Sequence, residues 1–303
     1  MLRPYLGVAL HRHGLRVVCL RKRGGRLRAT WASGPCEGIS PAPDRPMLES
    51  PDRFVEAVRA MLLPLAGTED RIGLSLPDIC GRTVFLRLPA TPASTGEEQE
   101  MLRWKLQETL ACDPGEIRMA CGRTTVEADG TWRYAVNVVR ESLFAQLVEG
   151  FTRAGFQVDF AGFKTFNLWQ QARMENPVAG KQLLLVPGDE SQTLLAADND
   201  RLLACRTVAT PAGGEPIGEI ARTLADWKRR KVIDEQTPFF LSSEEGDEAR
   251  WSENLARSLG RQTRPLIESE GVDWVSAPAP TGRQRSELSA ALAAARLLGG
   301  GKL

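Results

Sequence analysis

The sequence predicts an α/β protein built in two lobes, each a sheet flanked by helices, and three observations lead there. A strand-turn-strand-turn-strand unit occurs first as Leu6–Leu10, a turn over His11 to Gly14, Leu15–Leu20 and Arg26–Ala29. It recurs as Leu183–Val186, a turn over Pro187 to Ser191, Thr193–Ala197 and Leu202–Cys205. Alternating strand and helix patterns follow each copy, which is α/β behaviour. At 303 residues the chain has room for about two domains. A duplicated hairpin near the start of each half is how two-lobed phosphate clefts are built.

Each element has a local cause. After the first unit, Gly34 to Pro51 is rich in proline and glycine and reads as a loop. Asp52 is expected to cap a helix whose apolar positions Phe54, Val55, Val58, Met61 and Leu62 recur at helical spacing, with Pro64 ending it. Arg71–Leu76 is a short strand closed by Pro77-Asp78, and Thr83–Pro89 is another. Thr95 and Glu98 form a capping-box pattern ahead of a helix to Ala111. Asp113-Pro114-Gly115 then turns the chain, and Glu116–Thr125 pairs with Trp132–Val139 around Asp129-Gly130 as a hairpin. Glu141–Ala154 is a helix with Leu143, Phe144, Leu147, Val148 and Phe151 inward, stopped by Gly155. The strand Phe156–Phe160 and the helix Phe163–Met174 lead to the second unit. Beyond it come a loop over Thr210–Gly214, a helix Ile217–Lys231, a strand Pro238–Ser242, a helix Glu248–Leu259 and an alanine-rich helix Arg285–Leu298.

Composition excludes several function classes. A net charge of +1 supplies no global attraction to nucleic acid. Trp104, Trp132, Trp169, Trp227 and Trp251 are scattered over different elements without a joint basic stripe, so they read as packing rather than as base-stacking platforms. Cys19, Cys36, Cys80, Cys112, Cys121 and Cys205 include no C-x-x-C pair, which fits reduced thiols and no zinc site. His11 and His13 are the only histidines, and both fall in a turn, a poor place for the base of a cysteine nucleophile. No run approaches the roughly 20 apolar residues that span a bilayer, and the amino terminus lacks the apolar core of a secretion signal. The expected location is the cytoplasm, with any membrane contact made through a partner. Lys228-Arg229-Arg230-Lys231 reads first as a helix end complementing its dipole, with anionic lipid contact as the alternative.

The order of units resembles the actin-like (ribonuclease H-like) ATPase fold, and the insertion in the first lobe makes it similar to the FtsA-like branch, above all the PilM family of type IV pilus assembly. The family's opening G-I-D-I-G is matched by Gly7-Val8-Ala9-Leu10-His11, and its L-P strand by Ile72 through Pro77. Leu86-Arg87-Leu88-Pro89, Glu97 to Leu110, Asp113-Pro114, Ala154-Gly155-Phe156, Cys205-Arg206 and Gly213-Gly214 follow in the family's order. The resemblance implies a first lobe of residues 1–86 plus 156–178 and a helix-hairpin-helix insertion over 87–155. It implies a second lobe over 179–303, with a truncated subdomain around 211–237.

The same resemblance marks Gly7, Ala9, His11, His13, Val186, Gly188, Gly213 and Gly214 as vestigial nucleotide-cleft positions. Ala9 stands where the family's acidic residue would hold a magnesium-bound water. His11, Arg12 and His13 are bulky where small residues would let N–H groups close on a phosphate. Val186-Pro187-Gly188 replaces an Asp-x-Gly and removes one N–H donor. A single helix lies between Gly214 and Phe239, where the family has a subdomain reaching the nucleotide. The expectation is a scaffold with no catalytic residue, metal or cofactor; the competing reading is an actin-like ATP-binding protein or ATPase with an atypical site. The resemblance implies docking of the amino-terminal tail of a PilN-like inner-membrane protein between the first lobe and its insertion. Candidate contacts are Phe85, Arg87, Leu88, Arg103, Trp104 and Gln107, with other pilus, MSHA-type or type II secretion proteins as further partners. It leaves open self-association through the insertion.

Overall fold

The structure is a computed structural model and describes residues 3–12, 14–40, 46–89, 92–110, 113–127, 129–175, 177–188, 191–210, 216–243, 246–266, 272–276 and 278–299. The first repeat forms β1 (Tyr5–His11), β2 (Gly14–Arg23) and β3 (Arg26–Pro35), paired antiparallel in sequence order. Its third strand runs to Pro35, beyond the sequence expectation, because it pairs with the whole of β2. Helix α1 (Pro51–Ala66) is capped at Ser50 with Pro51 in its first turn, not at Asp52. Proline is tolerated there because that N–H would be unpaired anyway. Asp52 instead accepts from the Arg153 guanidinium. The helix also continues through Pro64 to Ala66, whose burial holds the last turn in place.

Strand β4 (Arg71–Leu76) lies parallel to β1, and a 3-10 turn over Asp78–Cys80 leads into β5 (Gly81–Leu88). Helix α2 (Thr95–Leu110) begins from Ser94: the Ser94 hydroxyl accepts from the Glu97 N–H, and the Glu97 carboxylate accepts from the Ala93 N–H. The expected Thr95/Glu98 box is therefore one residue out of register. Strands β6 (Ile117–Val126) and β7 (Trp132–Arg140) complete a sheet ordered β5-β7-β6. Helix α3 (Glu141–Ala154) ends where the sequence places it, at Gly155 with φ of 96°. Strand β8 (Gln157–Phe163) rejoins the first sheet, and α4 (Lys164–Glu175) leads to the second lobe.

The second repeat gives β9 (Lys181–Pro187), β10 (Ser191–Asp198) and β11 (Arg201–Ala209), again antiparallel. Helix α5 (Ile217–Arg229), β12 (Phe239–Leu241), α6 (Glu248–Leu259) and β13 (Arg264–Pro265) complete a sheet ordered β11-β10-β9-β12-β13. The chain then crosses back. Strand β14 (Val272–Trp274) pairs with β3, giving a first sheet ordered β14-β3-β2-β1-β4-β8, and α7 (Gly282–Leu298) packs over β1, β2, β4 and α4. Helix α7 starts three residues before the expected Arg285 because Thr281 and Gln284 form a capping box.

These contacts correct the expected boundaries. Residues 179–303 are not all second lobe: α7 is apolar nearly all round, with Leu288 and Ala290 to Ala295 at 2% exposure or less. A helix of that kind needs cover on both sides, which α4 and the first sheet supply. The insertion starts at Gly81, not residue 87, since all of β5 pairs with β7. Helix α3 belongs to the first lobe: Leu143, Leu147 and Phe151 join Phe54, Val58 and Leu62 of α1 in its core, with the Phe54 and Phe151 rings edge-on at 5.2 Å. Helix α5 is no separate subdomain, because Ile217, Ile220, Leu224 and Trp227 pack with Leu183, Leu185 and Leu194 of the second sheet.

The insertion keeps a small core of its own: Leu86, Leu88, Leu102, Leu106, Ile117, Tyr134 and Val136. Among the described residues, no helix is long and apolar enough to cross a membrane.

Candidate functional site

Two regions concern function: the hairpin turn that opens each repeat, and the groove between the first sheet and the insertion. At the first turn, side chains of β1 alternate in direction. Leu6, Val8 and Leu10 enter the core shared with α1 and α3, while Gly7 and Ala9 face α7. A Cβ at Gly7 would lie 1.9 Å from the Ala291 carbonyl oxygen and 2.5 Å from the Ala295 nitrogen. Gly7 is a seat for α7. Ala9 is 1% exposed in an apolar cluster with Val18, Leu288, Ala291 and Leu292, so the helix covers the position where an acidic anchor would stand. His11 is half-buried opposite Gly14, and His13 lies outside the described residues. Arg16, just past the turn, faces Glu287 of α7 at 3.6 Å.

At the second turn, Val186 is buried in the main core and Pro187 pairs with Gln192, so neither supplies a carboxylate; Asp189 and Glu190 of this turn lie outside the described residues. A Cβ at Gly188 would lie 3.2 Å from Lys164 Nζ, so that turn abuts the start of α4. Gly213 and Gly214 lie outside the described residues. The amino end of α6, whose N–H groups could receive a phosphate, is answered by its own carboxylates: Glu248 accepts from the Ser243 N–H at 3.3 Å, and Asp247 accepts from the Ser243 hydroxyl. Those charges would repel an anion. Among the described residues no group of three or more His, Cys, Asp or Glu side chains could hold a metal ion. Among the described residues at these positions, Ala9, Val186 and Pro187 offer no oxygen donor to a magnesium-bound phosphate chain.

Asp78, a buried carboxylate just past β4, has a different task. It accepts from the Thr165 N–H at 3.2 Å and the Thr165 hydroxyl at 2.7 Å, which ties the end of β4 to the start of α4. Burial pushes its carboxyl upward, against the pull of Lys164 and these hydrogen bonds. Burial likewise raises the Cys205 thiol to about 12, with Asp78 adding to the rise. Such a thiol is inert as a nucleophile at neutral pH.

The groove lies where two sheets expose their edges to one another. Strand β8 ends the six-stranded order and β6 ends the three-stranded one, so each has one unpaired side. Between them is a cavity of about 280 Å³ lined by Met119, Phe144, Val158, Ala161 and Phe163, with Asn137 on its wall. Its charged members are already answered within the chain. Arg118 makes a two-pronged pair with Glu141 and lies over the Phe144 ring, and Asp159 pairs with Arg71 at 3.2 Å. The groove is thus apolar, neutral and bordered by free backbone groups. The resemblance implies docking between the first lobe and its insertion; a cavity lies between them, and none of its lining residues is among the six candidates.

The six partner candidates do not come together at this groove. They sit on β5 and α2, whereas the cavity is bordered by β6 and β8. Leu88 is buried in the insertion core at 1% exposure. Phe85 lies under the Arg133 guanidinium, 4.7 Å from its ring centre, and Arg133 Nη2 donates to the Leu203 carbonyl of β11 at 2.7 Å. That pair fastens the insertion to the second lobe. Arg87 pairs with Glu127 at 2.9 Å, while Trp104 and Gln107 are exposed and Arg103 half-exposed on α2.

No protein-family model matches the chain, and no curated protein sequence does. Among solved structures, a chain of a PilM-PilN type IV pilus biogenesis complex is similar with a TM-score of 0.78 and 18% identity, over 97% of this chain and 98% of that one. A Bacteroides thetaiotaomicron protein with actin-like ATPase fold and unknown function gives 0.55 at 11% identity, over 95% and 96%. The cytoplasmic domain of EpsL, an inner-membrane component of the type II secretion system of Vibrio cholerae, gives 0.50 at 12%, over 95% and 94%. At these identities the likeness is one of fold. The chain has the actin-like ATPase fold, PilM-like in architecture over nearly its whole length.

Proposed function

We propose that this chain is a non-catalytic scaffold of a type IV pilus, or of a related MSHA-type or type II secretion assembly platform. It holds an extended amino-terminal tail of a PilN-like inner-membrane protein in the groove between β8 and β6. The observation that carries this reading is the pairing of two free strand edges around one neutral apolar cavity. An extended peptide satisfies such edges through its main chain and fills the cavity with alternate side chains. The full-length likeness to a chain of a PilM-PilN complex supports it. On this reading the chain meets the inner membrane only through its partner.

On this reading the two lobes act as a frame and not as a nucleotide clamp; the covering of Ala9 by α7 and the carboxylates at the start of α6, which would repel a phosphate, support it. A labelled peptide of the tail of the PilN-like protein from the same organism tests the groove. Saturable binding that is lost in Ala161→Arg, with an unchanged melting midpoint, is the expected result; binding indifferent to that substitution would overturn the placement. Calorimetry with Mg-ATP tests the rest: micromolar, magnesium-dependent binding would sink the non-catalytic reading.

A further inference from the structure

A second cavity, of about 350 Å³, lies between α4 and the far edge of the second sheet. It is separate from the regions above. Helix α4 starts beside Gly188 at the hairpin turn, and Ala172 and Arg173 lie eight and nine residues later, roughly 12 Å down the helix. The wall is completed by β12 and β13, at the opposite edge of the second sheet from β11, which faces the insertion.

The floor is apolar: Ala172, Val178, Phe240 and Leu266. Two guanidiniums border it. Arg173 lies over the Trp169 ring at 4.8 Å, and Arg264 projects from the short edge strand β13. Arg173 is half-buried and Arg264 exposed, and neither has a carboxylate partner among the described residues, whereas Arg71, Arg261 and Arg296 are paired. Glu175, the carboxylate on the last turn of α4, is held by Arg296 and by Gln171. Two guanidiniums beside one apolar floor suit an anion carried on an apolar body, and Arg favours planar or forked oxyanions. Pockets of this size, apolar with a few convergent polar groups, take small molecules.

We infer that the cavity between α4 and β12–β13 is a binding site for a small organic anion, a carboxylate or phosphate monoester carried on an apolar body, with Arg173 and Arg264 holding the charge. The inference stands apart from the groove reading and fails separately from it.

Calorimetry of the intact chain with phenyl phosphate, benzoate, inorganic phosphate and phenol tests this. Phenyl phosphate or benzoate should bind saturably, and whichever binds identifies the head group. Phenol and inorganic phosphate should bind at least about tenfold more weakly, since each lacks one half of the recognition. Arg264→Gln, at an exposed position where the fold is not at stake, should weaken binding about tenfold. Arg173→Lys, which keeps the charge and loses the fork, should also weaken it. The inference is overturned if neither organic anion gives saturable heat at about 10 mM, roughly the weakest affinity worth assigning to a built site. It is overturned equally if both variants bind as the parent does, or if inorganic phosphate matches phenyl phosphate.

Discussion

Replacing Gly7 by alanine tests the assignment of this residue to helix seating. The added Cβ would lie 1.9 Å from the Ala291 carbonyl oxygen, and real Cβ contacts essentially never fall below 3.0 Å. The strand and the helix must therefore separate locally by about 1.1 Å. Two of the three obstructing atoms are backbone and the third is the Ala295 Cβ, so no side chain can rotate away. A shift of that size in a close-packed interior opens gaps around Ala9, Val18 and Leu292 while relieving the clash. Overpacking of this kind costs about 1–3 kcal/mol, and the absence of a flexible neighbour puts Gly7→Ala at the upper end. At roughly 2 °C per kcal/mol for a chain of this size, the thermal midpoint should fall by about 6 °C. Gly73→Ala should behave alike, with its Cβ 2.4 Å from the Ala294 carbonyl oxygen. Gly122→Ala in β6, where a Cβ meets nothing within 4 Å, is the control and should be neutral. A Gly7→Ala protein as stable as the parent by urea titration would refute the reasoning and return Gly7 to the cleft.

The other expectations concern charge and packing. Ala9→Asp, which restores the family's acidic residue, should destabilise the fold by more than about 3 kcal/mol in denaturant titration and create no magnesium site, because it buries a lone carboxylate under α7. Glu98 accepts from the Tyr134 hydroxyl at 2.6 Å and from Arg123 Nε at 2.7 Å; the first bond chiefly holds its carboxyl below the ordinary range. Its folded pKa being depressed, the stability it contributes is complete above the ordinary glutamate value, about 4.3, and is lost as pH falls through the folded value. Acid titration followed by near-ultraviolet circular dichroism should show the insertion loosening in that range, with the slope reduced in Glu98→Gln. Arg133→Ala should free the insertion from β11 and speed proteolytic cleavage within residues 81–140, while leaving the two lobes folded.

Residues such as Gly7 and Ala9 show how a preserved pattern can change its meaning. Gly7 matches the opening glycine of an ATPase motif, yet the structure gives it a reason to be glycine that involves no nucleotide. Ala9 departs from the motif, and its neighbour is a helix that begins only at Gly282. Neither fact is legible locally. The groove was foreseeable as a place but not as a set of side chains, since which strands keep a free edge depends on how the two sheets are ordered.

Local physics was enough for the repeated strand units, for α3 down to its last residue, for the hairpin of the insertion and for the alternation that makes the chain α/β. Period-2 and helical spacing, turn residues and a left-handed glycine all act within a few residues of themselves. Only the tertiary structure decided that β14 and α7 return to the first sheet, that α3 packs with α1, and that the insertion leans on β11 through Arg133. An apolar face states that it must be buried but not against what. That choice rests on the approach distance that glycines such as Gly7 and Gly73 permit, a property of two backbones brought together and of neither sequence segment alone.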